Sequence, residues 1–337
     1  MRRAIRAAAK WKDPPTMMSR HVLRLSRRGF CLCCVAAVAS GQGWLTPRQA
    51  FAKAGNIVDG FRAEAAKADI KVHQVRGGLS VLEGSGGNIA VLSGADGKVL
   101  VDAGITATRP RIEVALASLD RRPVTHLVNT HWHFDHADGN EWIGGAGVSI
   151  LAHANTLKHL QETQRVEDWD FDFPPAPRVA LPTEVVDREK TVKLNGTSIA
   201  LRHIPNAHTD GDLTVTFGEE DVIHAGDLYW ADMYPFIDYS TGGGIDGAIR
   251  AADAILAQAG KSTIILPGHG APVSNADGLR AFRDMLAGSR DRVAALKRRG
   301  HSLDEIVAAR PTAPTDERFG MAVIPPAFFT KLVFEGV

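Results

Sequence analysis

Three imidazoles and a carboxylate fall within six positions at His131-Trp132-His133-Phe134-Asp135-His136. Neither a core helix nor a core strand gains from grouping so many titratable side chains. A pair of divalent metal ions does gain, because imidazole nitrogen and carboxylate oxygen are the ligands that zinc and its neighbours prefer. A chain with this stretch must fold so that a rigid element presents the loop and distant segments complete the ligand sets.

Three later segments offer what is missing. Pro205-Asn206-Ala207-His208-Thr209-Asp210-Gly211-Asp212 places one His in a turn-rich stretch. Val222-Ile223-His224-Ala225-Gly226-Asp227 is an apolar strand that runs into a carboxylate. Ile264-Ile265-Leu266-Pro267-Gly268-His269-Gly270 is another apolar run, ending in a His between glycines.

In this order the four segments resemble the metallo-β-lactamase-fold hydrolase superfamily, over about residues 72–272. The early run Gly87-Asn88-Ile89-Ala90-Val91-Leu92, followed by Leu100-Val101-Asp102-Ala103-Gly104, is similar to the first hairpin of that family. The resemblance implies an α/β fold, an αββα four-layer sandwich in which two mixed sheets pack face to face between helices. It implies two Zn2+, with Fe or Mn as other divalent possibilities. The first ion would be held by His131, His133 and His208, and the second by Asp135, His136 and His269. Asp227 would bridge both. The chemistry so implied is hydrolysis by metal-activated hydroxide, with Asp135 orienting the nucleophile and carrying a proton to the leaving group. Asp227 resembles the thioesterase and lactonase branches rather than the antibiotic-degrading subclasses, which carry Cys or a small polar residue there.

Other residues near the motifs have more ordinary readings. His224, three positions before Asp227, is expected to pack or to support a ligand. His126 and His153 are read as structural. Asp102 either orients a ligand His or serves a turn. Asp210 and Asp212 are expected to stabilise the turn behind His208 through side-chain to backbone bonds. Trp132 and Phe134 alternate with the ligands and are expected to face the packed side. Tyr234, in the aromatic stretch after Asp227, is a candidate hydrogen-bond donor to an oxyanion. That stretch and residues 169–175 are candidates for lining a substrate pocket.

The N-terminus is different material. It is basic from Arg2 to Lys12, and Ser26-Arg27-Arg28-Gly29-Phe30 precedes the mildly apolar residues 31–39 and the small-x-small sequence Ala50-Phe51-Ala52. This is the layout of an export signal, and the paired arginines resemble a twin-arginine signal. The expected organisation is therefore an extension and export signal over residues 1–52, a linker or short helix over 53–69, and a hydrolase domain with C-terminal helices over 70–337. Removal near Ala52 would leave a periplasmic protein, with the twin-arginine export machinery as partner. All three cysteines (Cys31, Cys33 and Cys34) lie in that signal, so the mature chain would have neither a disulfide nor a thiolate ligand.

With 39 basic and 38 acidic residues in 337, nothing draws the chain to nucleic acid, and no apolar run in its body predicts a stable membrane anchor. A small-molecule substrate is expected, namely a β-lactam, a lactone or another ester. Two alternatives are a hydroxyacylglutathione-type thioesterase and a periplasmic metal-binding or relay protein without turnover.

Local patterning predicts strands over residues 70–75, 79–82, 88–92, 99–101, 124–129, 148–151, 191–194, 198–204, 213–217 and 222–224, with a hairpin turn at Asn195-Gly196. Helices are predicted over 61–67, 108–119, 154–164, 245–259, 276–299 and 302–309. Residues 167–182 read as an ordered loop, and the end of the chain as a Pro-containing tail.

Overall fold

A computed structural model describes residues 57–337. The export-signal reading falls on residues outside that range. The first sheet has seven strands in the order β1-β2-β3-β4-β5-β6-β9: β1 (Lys71–Arg76), β2 (Leu79–Glu83), β3 (Ile89–Gly94), β4 (Gly97–Val101), β5 (Val124–Val128), β6 (Ser149–His153) and β9 (Glu184–Val186). The second has five in the order β10 (Glu189–Leu194), β11 (Thr197–Ile204), β12 (Asp212–Phe217), β13 (Val222–Trp230) and β14 (Ile264–His269). A two-stranded ribbon, β7 (Gln164–Val166) with β8 (Phe171–Phe173), stands apart.

Alternation along the strands explains the layering. Ala90 and Leu92 of β3 join Val99, Val101 and Val128 against Ile199, Leu201, Val215 and Phe217 of the second sheet, and this cluster is the seam between the sheets. The intervening Ile89 and Val91 point the other way, onto Ile112 and Leu116 of α2 (Arg109–Leu119). On the far face of the second sheet, Ile223, Ala225 and Ile265 pack on α6 (Ile245–Gln258) and α7 (Ala276–Arg298) through Ile249, Ile255, Phe282 and Leu286. The layers are therefore αββα. The hairpin turn forms as predicted, with Asn195 at φ 55° and Gly196 at φ 80° joining β10 to β11.

β4, β5 and β6 run parallel, as do β13 and β14. Parallel strands deliver their C-terminal ends to one edge of the sandwich, where loops carry side chains. β5 hands over to α3 (Phe134–Ala137) and α4 (Asn140–Gly144) there, and α5 (Ala154–Gln161) follows β6.

Several elements differ from expectation. The first helix, α1, forms within the expected linker or short helix but covers Ile57–Ala65 rather than 61–67, and it packs on the domain: Phe61 lies 6.3 Å from Phe134, and Arg62 pairs with Asp138 at 3.0 Å. β13 runs six residues beyond the predicted end of its strand, because the stretch after His224 stays extended and buried. β8 falls in the expected loop, and β7 begins at the predicted end of the preceding helix, because α5 stops at Gln161. After α8 (Leu303–Ala308), the expected tail is two more helices, α9 (Ala313–Phe319) and α10 (Pro326–Glu335). Pro314 and Pro326, which suggested an irregular tail, sit in the first turns of these helices, where a missing N–H costs nothing.

Candidate metal centre

Four of the seven proposed ligand side chains are held from behind. His133 Nε2–H donates to Asp238 Oδ2 at 2.9 Å, His208 Nδ1–H to the Phe236 carbonyl at 2.9 Å, and His136 Nδ1–H to Asp102 Oδ2 at 2.8 Å. Thr130 Oγ1 spends its proton on Asp102 Oδ2 at 2.8 Å, so it accepts from His131 Nδ1–H at 3.0 Å. These bonds select the tautomers. In all four rings the other nitrogen faces the centre, where its lone pair is open to an ion once any proton on it has left.

Those lone pairs converge. His131, His133 and His208 offer nitrogens within 4.8 Å of one another, and Asp135, His136 and His269 form a second such group. Asp227 lies between them. Its Oδ1 is 3.1 Å from His136 Nε2, while Oδ2 is 3.4 Å from His208 Nε2 and 3.3 Å from His269 Nε2. His131 Nε2 and Asp227 Oδ1 are buried without a hydrogen bond. Buried polar atoms are rarely left so unless an ion or water satisfies them. Nitrogen and carboxylate donors in two groups around a shared carboxylate fit two divalent ions of the zinc type.

Backbone approaches these ligands closely at two glycines. A Cβ on Gly87 would lie 2.2 Å from His136 Cε1, and one on Gly268 would lie 2.1 Å from Asp227 Oδ1. Any side chain there would displace a ligand. Asn88 joins the two loops: its N–H donates to the Gly268 carbonyl at 2.8 Å and its Nδ2 to the Pro267 carbonyl at 3.0 Å.

Electrostatics separate the two halves of the site. For His131, burial and then the neighbouring His136 and His208 push the pKa well below the ordinary imidazole value. Burial would also lower His136 and His269, but Asp227 and Asp135 overcome it. His136 is held well above its ordinary value, and His269 is raised to about 9. Burial pushes the Asp227 carboxyl up, and His269, His136 and His208 reverse this, leaving it well below the usual range. The metal-free second half therefore carries imidazolium protons that an ion must displace. Metal loading at neutral pH is expected to release protons, and affinity there should rise with pH from neutrality through about 9, where His269 titrates. Titration calorimetry in buffers of different ionisation enthalpy measures this. Affinity that does not change between neutral pH and pH 9 would contradict it.

The structure brings together His131, His133, Asp135, His136, His208, Asp227 and His269 and leaves Tyr234 out. The Tyr234 hydroxyl is buried under α9, 2.7 Å from Thr315 Oγ1 and 2.9 Å from Asp316 Oδ1, while its ring stacks 4.4 Å from Phe329. It faces the C-terminal helices and cannot reach an oxyanion. His224 is a buckle, not a ligand: Nε2–H donates to the Asn88 carbonyl at 3.1 Å and Nδ1 accepts from Gly226 N–H at 3.1 Å. Asp212 supports the His208 turn as expected, accepting the N–H groups of His208 and Thr209 at 2.8 and 2.9 Å. Asp210 does not, because its carboxylate pairs with His159 Nε2 at 2.8 Å. Trp132 is packed away from the cleft, with its indole N–H on Thr241 Oγ1, but Phe134 lines it.

Asp238 was not anticipated. Asp238-Tyr239-Ser240-Thr241 has the pattern of an Asx turn, and Oδ1 does accept from the backbone of Ser240 at 3.0 Å. Its second role, orienting His133 from 105 positions away, has no local signal.

A model of the metallo-β-lactamase superfamily matches residues 82–291. The metallo-β-lactamase IND-1 of Chryseobacterium indologenes is 22% identical over 147 residues, which is 44% of this chain and 56% of that protein. The inverting sec-alkylsulfatase Pisa1 from Pseudomonas sp. superimposes with a TM-score of 0.60 at 17% identity, over 82% of this chain and 51% of that one. The metallo-β-lactamase DIM-1 gives 0.52 at 18% identity, over 65% and 97%. The chain thus spans little more than half the length of IND-1 and Pisa1, and likeness at these identities shows the fold alone.

Proposed function

This chain belongs to the metallo-β-lactamase superfamily of metal-dependent hydrolases, and within it we propose an exported dinuclear zinc hydrolase that cleaves a small carbonyl substrate: a β-lactam, a lactone or another ester. The observation that carries the reading is the pair of donor groups around Asp227, with His131 Nε2 and Asp227 Oδ1 buried and unsatisfied. Two divalent ions held there would supply Lewis acidity and activation of water as a nucleophile.

The chain's own residues do the rest. Asp102 and Asp238 hold His136 and His133 in the tautomers that leave a lone pair free. Asp135 is the donor carboxylate with the most access to the cleft, and its Oδ2 lies 3.2 Å from His269 Nε2. That position suits it to take a proton from the nucleophile side and return it to a leaving group. The surrounding wall is largely apolar, with Phe61, Phe134, Trp169, Phe236 and Phe328 beside the donor set.

A screen of the purified protein with β-lactams, lactones, thioesters, phosphate esters and sulfate esters tests the reading. Turnover of a carbonyl substrate, lost on chelation and restored by zinc, is expected. A protein that binds two ions and turns over none of these classes would contradict it.

Export rests on Arg27-Arg28 ahead of residues 31–39 and on Ala50-Phe51-Ala52. Mass spectrometry of the exported protein should find a chain beginning near residue 53. A cytoplasmic protein that keeps Arg27 and Arg28 would exclude it. No helix among the described residues is long and apolar enough to cross a membrane.

A further inference from the structure

The cleft above the donor groups, about 810 Å³ with its open mouth, has a wall of unusual composition. Segments far apart in the chain build it: Ile57 and Phe61 from α1, Trp169 from the β7–β8 turn, Phe236 from the stretch after β13, and Ile324 and Phe328 around the start of α10. The rings of Trp169 and Phe236 lie 4.8 Å apart. The ionisable residues on the wall are His133, Asp135, His208, Asp227 and His269, and all five belong to the donor set. Among the described residues, nothing else on it carries a side-chain hydroxyl, amide, ammonium or guanidinium group, and the indole N–H groups of Trp169 and Trp230 are its remaining side-chain donors.

Two cations approach lining rings from behind, and both are engaged. The Arg62 guanidinium lies 5.6 Å from the Phe134 ring centre but pairs with Asp138 at 3.0 Å. Lys331 lies 5.9 Å from the Phe328 ring centre but pairs with Asp168, and with Glu335 at 3.5 Å. An ion in the donor set could still take an anionic oxygen as a ligand, but beyond the donor set its excess charge is small. Two divalent ions bring four positive charges. The carboxylates of Asp135 and Asp227, with those of Asp102 and Asp238 behind His136 and His133, offset all four. An anionic group seated on the wall, away from the donor set, would give up its hydration against hydrocarbon and gain no ion pair in return. An apolar group would gain about what burial gives any hydrocarbon.

We propose that the substrate is an uncharged ester or lactone bearing an apolar acyl or alkyl group, which the cleft binds by burial, and that substrates carrying a carboxylate, phosphate or sulfate are selected against. This deepens the hydrolase reading and rests on it. Within the classes named above, it favours neutral esters and lactones over β-lactams that carry a ring carboxylate.

The test uses the zinc-loaded mature protein and two matched series. One is the p-nitrophenyl esters of straight-chain acids from acetate to octanoate. The other is p-nitrophenyl hemiesters of dicarboxylic acids of equal chain length. For the neutral series, kcat/KM should rise about fourfold per added methylene until the cleft is filled. Each hemiester should fall at least about tenfold below its neutral match, the discrimination expected of a buried unpaired charge. Binding is read separately, from the fluorescence of Trp169 and Trp230 during titration with straight-chain alcohols and with the matching carboxylates. Alcohol affinity should climb along the series, and the carboxylates should bind more weakly. Val323→Lys, which places an ammonium on the wall, should narrow or reverse the preference for neutral ligands.

Esters cleaved with no gain along the chain, or hemiesters preferred by the unmodified protein, would overturn the inference and leave the hydrolase reading standing. Selective alcohol binding with no ester cleaved would support the selectivity of the cleft and overturn the hydrolase reading.

Discussion

Asp227→Asn is expected to release the second ion, cut turnover at least about 100-fold and leave the fold intact. The carboxylate contacts both donor groups, through Oδ1 toward His136 and Oδ2 toward His208 and His269. An amide presents one oxygen and one NH2, so it cannot offer both groups an anionic oxygen. Loss of the group that orients a ligand already costs 10–100-fold in affinity or activity, and loss of a shared ligand should cost at least the upper end of that range. The second ion leaves first, because two of its remaining three donors, Asp135 and His269, are only partly buried, whereas His131, His133 and His208 are all buried. The sheets do not depend on this carboxylate, so circular dichroism should be unchanged. Two tightly held ions with near-normal turnover would show that Asp227 is not shared.

Asp102→Asn should weaken the second ion about 10–100-fold although residue 102 touches no proposed ion. Asp102 accepts three donors, Thr130 N–H on Oδ1 at 2.7 Å and both Thr130 Oγ1–H and His136 Nδ1–H on Oδ2 at 2.8 Å. Asparagine has one oxygen. With it at the Oδ2 position, the NH2 faces the Thr130 N–H. With it at the Oδ1 position, the NH2 faces His136, whose Nδ1 must then accept, and the ring proton moves to Nε2, the nitrogen meant for the ion. Either choice leaves a buried donor unmatched, at about 1–3 kcal/mol. Residue 102 sits at φ 67°, a region that asparagine tolerates, so backbone strain does not confuse the result. Isothermal titration of each ion, with thermal unfolding on the same samples, measures both effects. Unchanged affinity for both ions would remove Asp102 from the account.

Local patterning marked the four segments that carry the centre's donors, and the resemblance to the metallo-β-lactamase superfamily picked the seven side chains out of them. Six positions after β5 carry four of them, and the other three stand in turns or strands close to Gly, Pro or Asp. The groups behind them were less legible. Asp102 precedes a glycine turn, where an orienting role and a plain turn look alike in sequence, and Asp238 reaches His133 across the fold. The cleft wall was legible least of all. Ile57, Phe61, Ile324 and Phe328 each look like ordinary core residues in their own segment. Only the packing of α1 and α10 against the centre brings them together. Tyr234 misled for the same reason, since nothing in its neighbourhood shows that α9 covers its hydroxyl.

The central claim is a two-ion centre held by these seven side chains. Elemental analysis of the purified mature protein, combined with anomalous-difference density at the metal edge in a crystal, tests it most directly. The account predicts two ions per chain, one among His131, His133 and His208 and one among Asp135, His136 and His269, with Asp227 touching both. A single ion, or density away from either group, would contradict it.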